Sequence, residues 1–183
     1  MTITRRKLAL TLFLVTALFA ITAWAAPAKH GPSAVAFSAT ATGGLKIRGT
    51  TSELAVNGDN SQIRITVPLA GLDTGIGLRN KHMRKYLETE KYPNAVLVVE
   101  KSALKIPSDG GESSGSASGT LTLHGQTMPI TFKYNSKRGG DRYNVAGAAS
   151  IDIRSFGIAV PNYLGISVRP NVDIDAKFGI KGL

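Results

Sequence analysis

Apolar and polar residues alternate along several stretches of the chain, and this pattern predicts β-strands. The clearest stretch is 62–67, where Ile63, Ile65 and Val67 share one face and polar side chains occupy the other. A period of two is typical of a strand with one buried and one solvated face. Segments 130–135 and 172–178 alternate in the same way, and weaker strand candidates are 34–41, 45–56, 95–106, 119–123 and 143–153.

Turn-forming residues separate these segments. Asn57-Gly58-Asp59-Asn60 and Arg138-Gly139-Gly140-Asp141 have the composition of hairpin turns, and His124-Gly125-Gln126-Thr127 is expected to form a turn between two other strands. The segment from Ser108 to Ser118 is rich in Ser and Gly, which favours a flexible loop. Residues 73–93 do not alternate, and Asn80–Leu87 within them predicts a short helix that Pro93 prevents from continuing.

Together these elements predict an all-β fold with about eight antiparallel strands and one short helical crossover after the third strand. This number of strands favours a closed barrel or a sandwich. A barrel of this size can be filled by side chains or can hold one small ligand, and the pattern leaves both options open. Residues expected to face inward include Ala36, Ala148, Phe132 and Phe178, of which the small ones would leave room.

The first 25 residues have the layout of a cleaved secretory signal peptide. Three basic residues, 5–7, precede an uncharged apolar run, and Ala23-Trp24-Ala25 offers small residues where a signal peptidase reads them. We expect cleavage after Ala25 and a single domain over residues 26–183. The alternatives are an uncleaved membrane anchor and export by the twin-arginine route, although the apolar core of the signal favours the general secretory route.

The charge and the cysteine content limit which partners and which kinds of site the protein can have. Lys and Arg number 22 against 12 Asp and Glu, so a protein exported with this excess would meet anionic headgroups or acidic envelope polymers before nucleic acid. The same excess is also ordinary for solubility. The chain has no cysteine, which excludes disulfides and thiolate metal sites.

Catalytic and metal-binding motifs are sparse. The sequence contains no phosphate-binding loop and no His-Glu-x-x-His, and His30, His82 and His124 lack the spacing of metal ligands. We therefore expect no enzyme, no cofactor and no metal site. An enzyme or metal protein that uses His82 and His124 remains an alternative.

Residues 79–86 combine four cations and one histidine with Met83 and Tyr86. Such a mixture can hold an anionic headgroup while its apolar side chains meet a lipid tail. The alternative is a solvated helix face that covers one end of the barrel.

Three segments, in order along the chain, resemble the YceI-like family. They are Asp73-Thr74-Gly75 followed by Arg79, His82-Met83, Tyr86-Leu87 and Lys91-Tyr92-Pro93; then Gly119 to Ile130; and finally Ser155-Phe156-Gly157-Ile158. The resemblance implies a lipocalin-like barrel in the bacterial periplasm, with an elongated internal pocket for a polyisoprenoid or a similar amphiphile. It also implies that the protein is not an enzyme.

From the pattern and the resemblance together, we expect a periplasmic carrier of a long-chain isoprenoid, a quinone-like molecule or another long-chain lipid. It would touch a membrane surface transiently and would not bind nucleic acid. We expect the pocket wall to include Phe132, Tyr134, Phe156 and Phe178, and the mouth to include Arg79, His82, Met83 and Tyr86. The alternative is a non-enzymatic envelope interaction or stress protein with a filled barrel and a basic partner-binding surface, and the volume of the cavity distinguishes the two.

Overall fold

The computed structural model of the protein describes residues 27–163 and 165–183, apart from the side chain of Tyr163. The predicted signal peptide, residues 1–25, lies outside these ranges. No helix within them is long and apolar enough to cross a bilayer. In this part of the chain, the strands and the single α-helix are β1 (Ala28–Ala41), β2 (Lys46–Thr51), β3 (Ala55–Gly58), β4 (Gln62–Pro68), α1 (Gly77–Tyr86), β5 (Asn94–Glu100), β6 (Glu112–Leu123), β7 (Gln126–Gly139), β8 (Arg142–Asp152), β9 (Asn162–Tyr163) and β10 (Ile166–Lys181).

The strands form one antiparallel sheet in the order β2-β1-β10-β8-β7-β6-β5-β4-β3, and the short β9 pairs with β10. The sheet is strongly curled, because side chains from its two edges pack together. Val35 and Phe178 come from β1 and β10, and they share a buried cluster with Val56 and Ile63 of β3 and β4. The curl gives the sheet a concave, apolar inner face and a solvated outer face.

The all-β antiparallel fold is confirmed, and the segments with the clearest alternation lie in β4, β7 and β10. The strand count and the position of the helix differ from the prediction. Residues 45–56 form two strands, β2 and β3, separated by Ser52–Leu54, and β9 adds a further short strand. The split at Ser52–Leu54 also explains why α1 follows the fourth strand rather than the third.

The predicted loop from Ser108 to Ser118 is wrong, because most of it belongs to β6. Its residues pair with β7 without interruption from Glu112 opposite Lys137 to Leu123 opposite Gln126. Ser114 and Ser116 face solvent, whereas Gly115 and Ala117 lie on the inner face. The segment therefore alternates between polar and small residues, a period of two that its loop-like composition conceals.

The predicted hairpin turns are confirmed. His124 and Gly125 connect β6 to β7 with φ angles of 51° and 75°, whereas Gln126 and Thr127, which were predicted to belong to this turn, begin β7. Two positive φ values in a two-residue connection are typical of the tight turn that matches the twist of the flanking strands. In the β3–β4 turn, the Asp59 carboxylate accepts hydrogen bonds from the backbone N–H groups of Ser61 and Gln62.

The register defines two ends of the sheet. At the helix end lie the last residues of β1, the first residues of β10, the β6–β7 turn and the crossover that contains α1. The helix-end cluster packs there, and it consists of Leu69, Leu72, Leu121, Leu123, Ile151, Ile153, Phe156 and Ile158. The far-end cluster lies towards the opposite end and consists of Val35, Leu54, Val56, Ile63, Phe178 and Ile180.

Candidate functional site

The inner face of the sheet surrounds a cavity of about 1070 Å³. This is slightly larger than the range of about 300–1,000 Å³ that is common for small-molecule sites. Aliphatic and aromatic side chains from strands all around the sheet form its wall, among them Phe37, Ile65, Leu97, Phe132 and Ile174. A barrel filled by its own side chains, the alternative left open by the sequence, does not fit this volume.

Small inward residues contribute to this space. Gly147, Ala149 and Ala176 occupy inner-face positions of β8 and β10 and line the cavity. Ala36 and Ala148, which were predicted to face inward, also border the cavity. In the register, however, both stand opposite the exposed Asp175 of β10, so the strand alternation points their side chains outward and does not support the predicted direction. The difference is one residue in each strand, which in a period of two reverses the face.

Three of the four predicted wall residues line the cavity: Phe132, Tyr134 and Phe178. The rings of Phe132 and Tyr134 are neighbours on β7, with centroids 6.3 Å apart and planes tilted by 56°. The hydroxyl oxygen of Tyr134 accepts a hydrogen bond of 2.6 Å from the backbone N–H of Lys105. Tyr134 thus holds the segment 104–107, which lines the cavity at its far end.

Phe156, the fourth predicted wall residue, lies in the helix-end cluster and not among the residues that line the cavity. It is 2% exposed and is the largest fully buried side chain in the described part of the chain. Its backbone carbonyl accepts a hydrogen bond of 3.1 Å from Nδ1 of His124. The structure therefore gives Phe156 a packing position beside the β6–β7 turn.

The four predicted mouth residues, Arg79, His82, Met83 and Tyr86, all line the helix end of the cavity. They belong to α1, which carries the cations at 79, 81, 84 and 85 and no carboxylate. The hydroxyl oxygen of Tyr86 accepts a hydrogen bond of 3.4 Å from the backbone N–H of Asn162. Through this bond the end of α1 is tied to β9, beside the start of β10.

Asn80 fixes the start of α1 against the preceding loop. Its side-chain amide donates to the Asp73 carboxylate at 2.6 Å, and its oxygen accepts from the backbone N–H and the hydroxyl of Thr74. The bond from Asn80, followed by one from the backbone N–H of Gly75, lowers the pKa of Asp73. Asp73 also pairs through its backbone with Thr50, so the crossover is hydrogen-bonded to the edge of the sheet at β2.

Sequence reasoning missed a cluster that joins the end of α1 to the β6–β7 turn. Nε2 of His124 lies 3.3 Å from the Glu88 carboxylate, without the alignment of a good hydrogen bond, and the His124 and Tyr92 rings are 4.8 Å apart. Glu88 and His124 are the two non-glycine residues with positive φ among the described residues. Within residues 27–163 and 165–183, no three His, Asp or Glu side chains converge as metal ligands.

Phe37 of β1 is a second residue that sequence reasoning missed. It lines the cavity and covers Gly49, its partner on β2, so closely that a Cβ at Gly49 would overlap the ring. A glycine within a strand often marks such a close approach. The available signal was the glycine in β2 opposite an aromatic residue, which is informative only when the register is known.

Comparison with known proteins agrees with this architecture. The family model for the YceI-like domain matches residues 24–179. The UPF0312 proteins of Pseudomonas savastanoi and Pseudomonas syringae pv. syringae are each 32% identical to the chain over 138 residues, which is 71% of this chain and 67% of theirs.

Two solved structures share the fold. A polyisoprenoid binding domain from Saccharophagus degradans superposes with a TM-score of 0.72 at 20% identity, covering 86% of this chain and 98% of that one. BcnA from Burkholderia cenocepacia gives a TM-score of 0.62 at 18% identity, covering 80% and 95%. The match of the family model over most of the chain, and of the curled sheet with these folds, shows that the chain belongs to the YceI-like family.

Proposed function

We propose that this protein is exported to the periplasm and there binds a long-chain isoprenoid or a similar amphiphilic lipid as a carrier, without chemically changing it. The observation that carries the proposal is the cavity of about 1070 Å³ with its continuous apolar wall. The family relationship supports it, since the structurally similar protein from Saccharophagus degradans is described as a polyisoprenoid binding domain.

An apolar chain gains enough from such a wall to bind without a headgroup contact. Each buried methylene contributes about 0.8 kcal/mol, so ten of them contribute about 8 kcal/mol. Before the costs of association, this corresponds to a Kd of about 1 μM. Polar groups at the cavity therefore orient and select the ligand more than they supply its affinity.

The distribution of charge indicates how the ligand lies. Arg79 and Lys85 of α1 line the cavity at its helix end, together with His82. The far end is bounded by the segment 104–107, which contributes one cation, Lys105, against the two cations and the histidine at the helix end, and the wall between the ends is apolar. We therefore place the tail in the interior and the polar head, a phosphate or a quinone-like ring, beside α1, where it would pass to and from a membrane.

Mass spectrometry of an organic extract tests this proposal. The protein, produced from its full sequence and purified gently from the periplasm, is expected to release about one long-chain lipid per molecule. If the extract is empty, the protein is offered isoprenoids in detergent and its thermal unfolding is measured. An empty extract together with no rise in the unfolding temperature would overturn the proposal.

A matched pair of variants tests whether the lipid occupies the cavity. Ala149 lies on the inner face of β8 and lines the cavity, whereas the neighbouring Ser150 is exposed on the outer face. Ala149→Phe fills part of the space and is expected to reduce the lipid recovered per protein by at least half. Ser150→Phe places the same ring in solvent and should leave recovery unchanged, so equal recovery from both variants would place the lipid elsewhere.

A further inference from the structure

Four exposed aliphatic side chains surround the helix end of the cavity. They are Leu45 at 47% exposure, Ile76 at 48%, Leu78 at 59% and Ile166 at 46%, and all four also line the cavity. We call this set the apolar rim. The described residues contain two other large exposed apolar side chains, Ile106 at the far end and Met128 of β7.

The fold brings the members of the rim to one end. Leu45 precedes β2 and Ile166 begins β10, and the hydroxyl of Thr42, between β1 and β2, accepts a hydrogen bond of 3.1 Å from the backbone N–H of Ser167. Ile76 and Leu78 flank the first residue of α1, which lies across the same end. The rim is therefore built from three separate connections that meet at the opening of the cavity.

Isolated exposed aliphatic residues are common on protein surfaces, but a group of them marks a contact site. Here the group is continuous with the apolar wall of the cavity. A surface that covers the rim would allow an apolar chain to leave or enter the cavity without crossing water. A lipid bilayer is such a surface, and it is also where a long-chain isoprenoid resides.

The positive charge beside the apolar rim favours a bilayer that contains anionic phospholipid. The cations of α1, Arg79, Lys81, Arg84 and Lys85, face no carboxylate on the same helix, and Lys46 directly follows Leu45. Basic side chains near a membrane attract anionic phospholipid, each strengthening binding about fivefold. Aliphatic residues that insert beside such cations are typical of proteins that lie on a membrane surface.

We propose that the apolar rim docks on an anionic phospholipid bilayer, with α1 against the headgroups and the opening of the cavity facing the lipid. This inference rests on the proposed lipid-binding function, and it adds the surface and the lipid class by which the ligand is loaded. The four rim residues enter the interface, and the cations of α1 hold the phosphates around them.

Flotation with lipid vesicles in the absence of isoprenoid tests the docking by itself. The protein, in the processed form that the cell produces, is mixed with vesicles of phosphatidylcholine alone or with phosphatidylglycerol added. We expect it to float with the anionic vesicles, to remain largely unbound with phosphatidylcholine, and to lose binding as salt is raised. Failure of the wild-type protein to float with the anionic vesicles overturns the docking.

Leu78→Glu and Ile106→Glu form a matched pair for this assay. Both make the same change at an exposed aliphatic residue and alter the net charge equally, but Ile106, at 43% exposure, lies at the far end. We expect Leu78→Glu to reduce partition onto anionic vesicles by about tenfold or more and Ile106→Glu to leave it within about twofold. Equal losses from both overturn the proposal, and Leu78→Ser replaces Leu78→Glu if the glutamate variant does not fold.

A second pair of variants tests whether the cations of α1 contribute more to membrane binding than cations elsewhere on the surface. Lys81 is exposed on α1, and Lys133 is exposed on the outer face of β7. Lys81→Glu should weaken partition much more than Lys133→Glu; equal weakening overturns the orientation with α1 against the membrane. The extraction experiment reports separately on lipid binding, so a failure of the docking and a failure of the proposed function give different results.

Discussion

Replacing two phenylalanines by alanine distinguishes the wall of the cavity from the packed core. Phe156 is 2% exposed within the helix-end cluster, whereas Phe132 is half-buried and faces the cavity. In lipid-free protein, we predict that Phe156→Ala lowers the free energy of unfolding by about 3–5 kcal/mol. Phe132→Ala should lower it by about 2–3 kcal/mol at most.

The difference follows from what each ring touches. A phenylalanine buries about 150–250 Å², and at about 25 cal/mol per Å² complete burial is worth about 4–6 kcal/mol as an upper estimate. Truncation at Phe156 also leaves a void that its neighbours fill only in part. One side of Phe132 already faces empty space, so about half the area is lost and the gap merges with the existing cavity.

Urea unfolding followed by far-ultraviolet circular dichroism measures both changes. The protein must be stripped of lipid first, because a ligand that binds the folded state stabilises it and would exaggerate the loss at Phe132. The milder variants Phe156→Leu and Phe132→Leu keep the comparison available if Phe156→Ala does not fold. Equal destabilisation at the two positions would refute the division between wall and core.

Three further predictions rest on particular residues. Gly49→Ala should force the Phe37 ring towards the cavity, because the added Cβ overlaps it, and should therefore reduce the lipid recovered by extraction. The lowered pKa of Asp73 means that its hydrogen bonds stabilise the fold above the ordinary aspartate pKa of about 3.9 and are lost as pH falls through the lowered value. The difference in unfolding free energy between wild type and Asp73→Asn should accordingly be present at neutral pH and vanish in acid. Cleavage after Ala25 removes Trp24, the single tryptophan of the sequence, so the mature protein should show no tryptophan fluorescence, and mass spectrometry of the intact chain gives an independent measurement.

The sheet was predictable where one face is apolar and the other charged or polar. In β10, Val172, Ile174 and Ala176 alternate with Asp173 and Asp175, and the register confirms that the two carboxylates face outward. The alternation between apolar and polar residues is harder to recognise where the residues on the inner face are small. Segment 108–118 has small residues at its inner positions and serines at its outer ones, so composition indicated a loop although the backbone pairs with β7.

The site was predictable in part, because the charge and apolar pattern of α1 do not depend on register. Arg79, His82, Met83 and Tyr86 were expected at the mouth, and all four line the helix end of the cavity. The Glu88–His124 contact depends on two turns that are 36 positions apart in sequence and meet only in the folded chain. No local pattern specifies such a contact, since neither residue has a distinctive spacing to the other.

A filled interior and an empty one produce the same alternation, which is why the strand pattern could not decide between them. What differs is the size of the inward residues. The helix-end and far-end clusters consist of large aliphatic and aromatic side chains that pack and supply stability. Gly147, Ala149 and Ala176 lie on the inner face and line the cavity, where larger side chains would occupy its volume. The volume of the cavity therefore depends on small residues whose position on the inner face must be known, and a shift by one position, as at Ala148, reverses the predicted direction of the side chain.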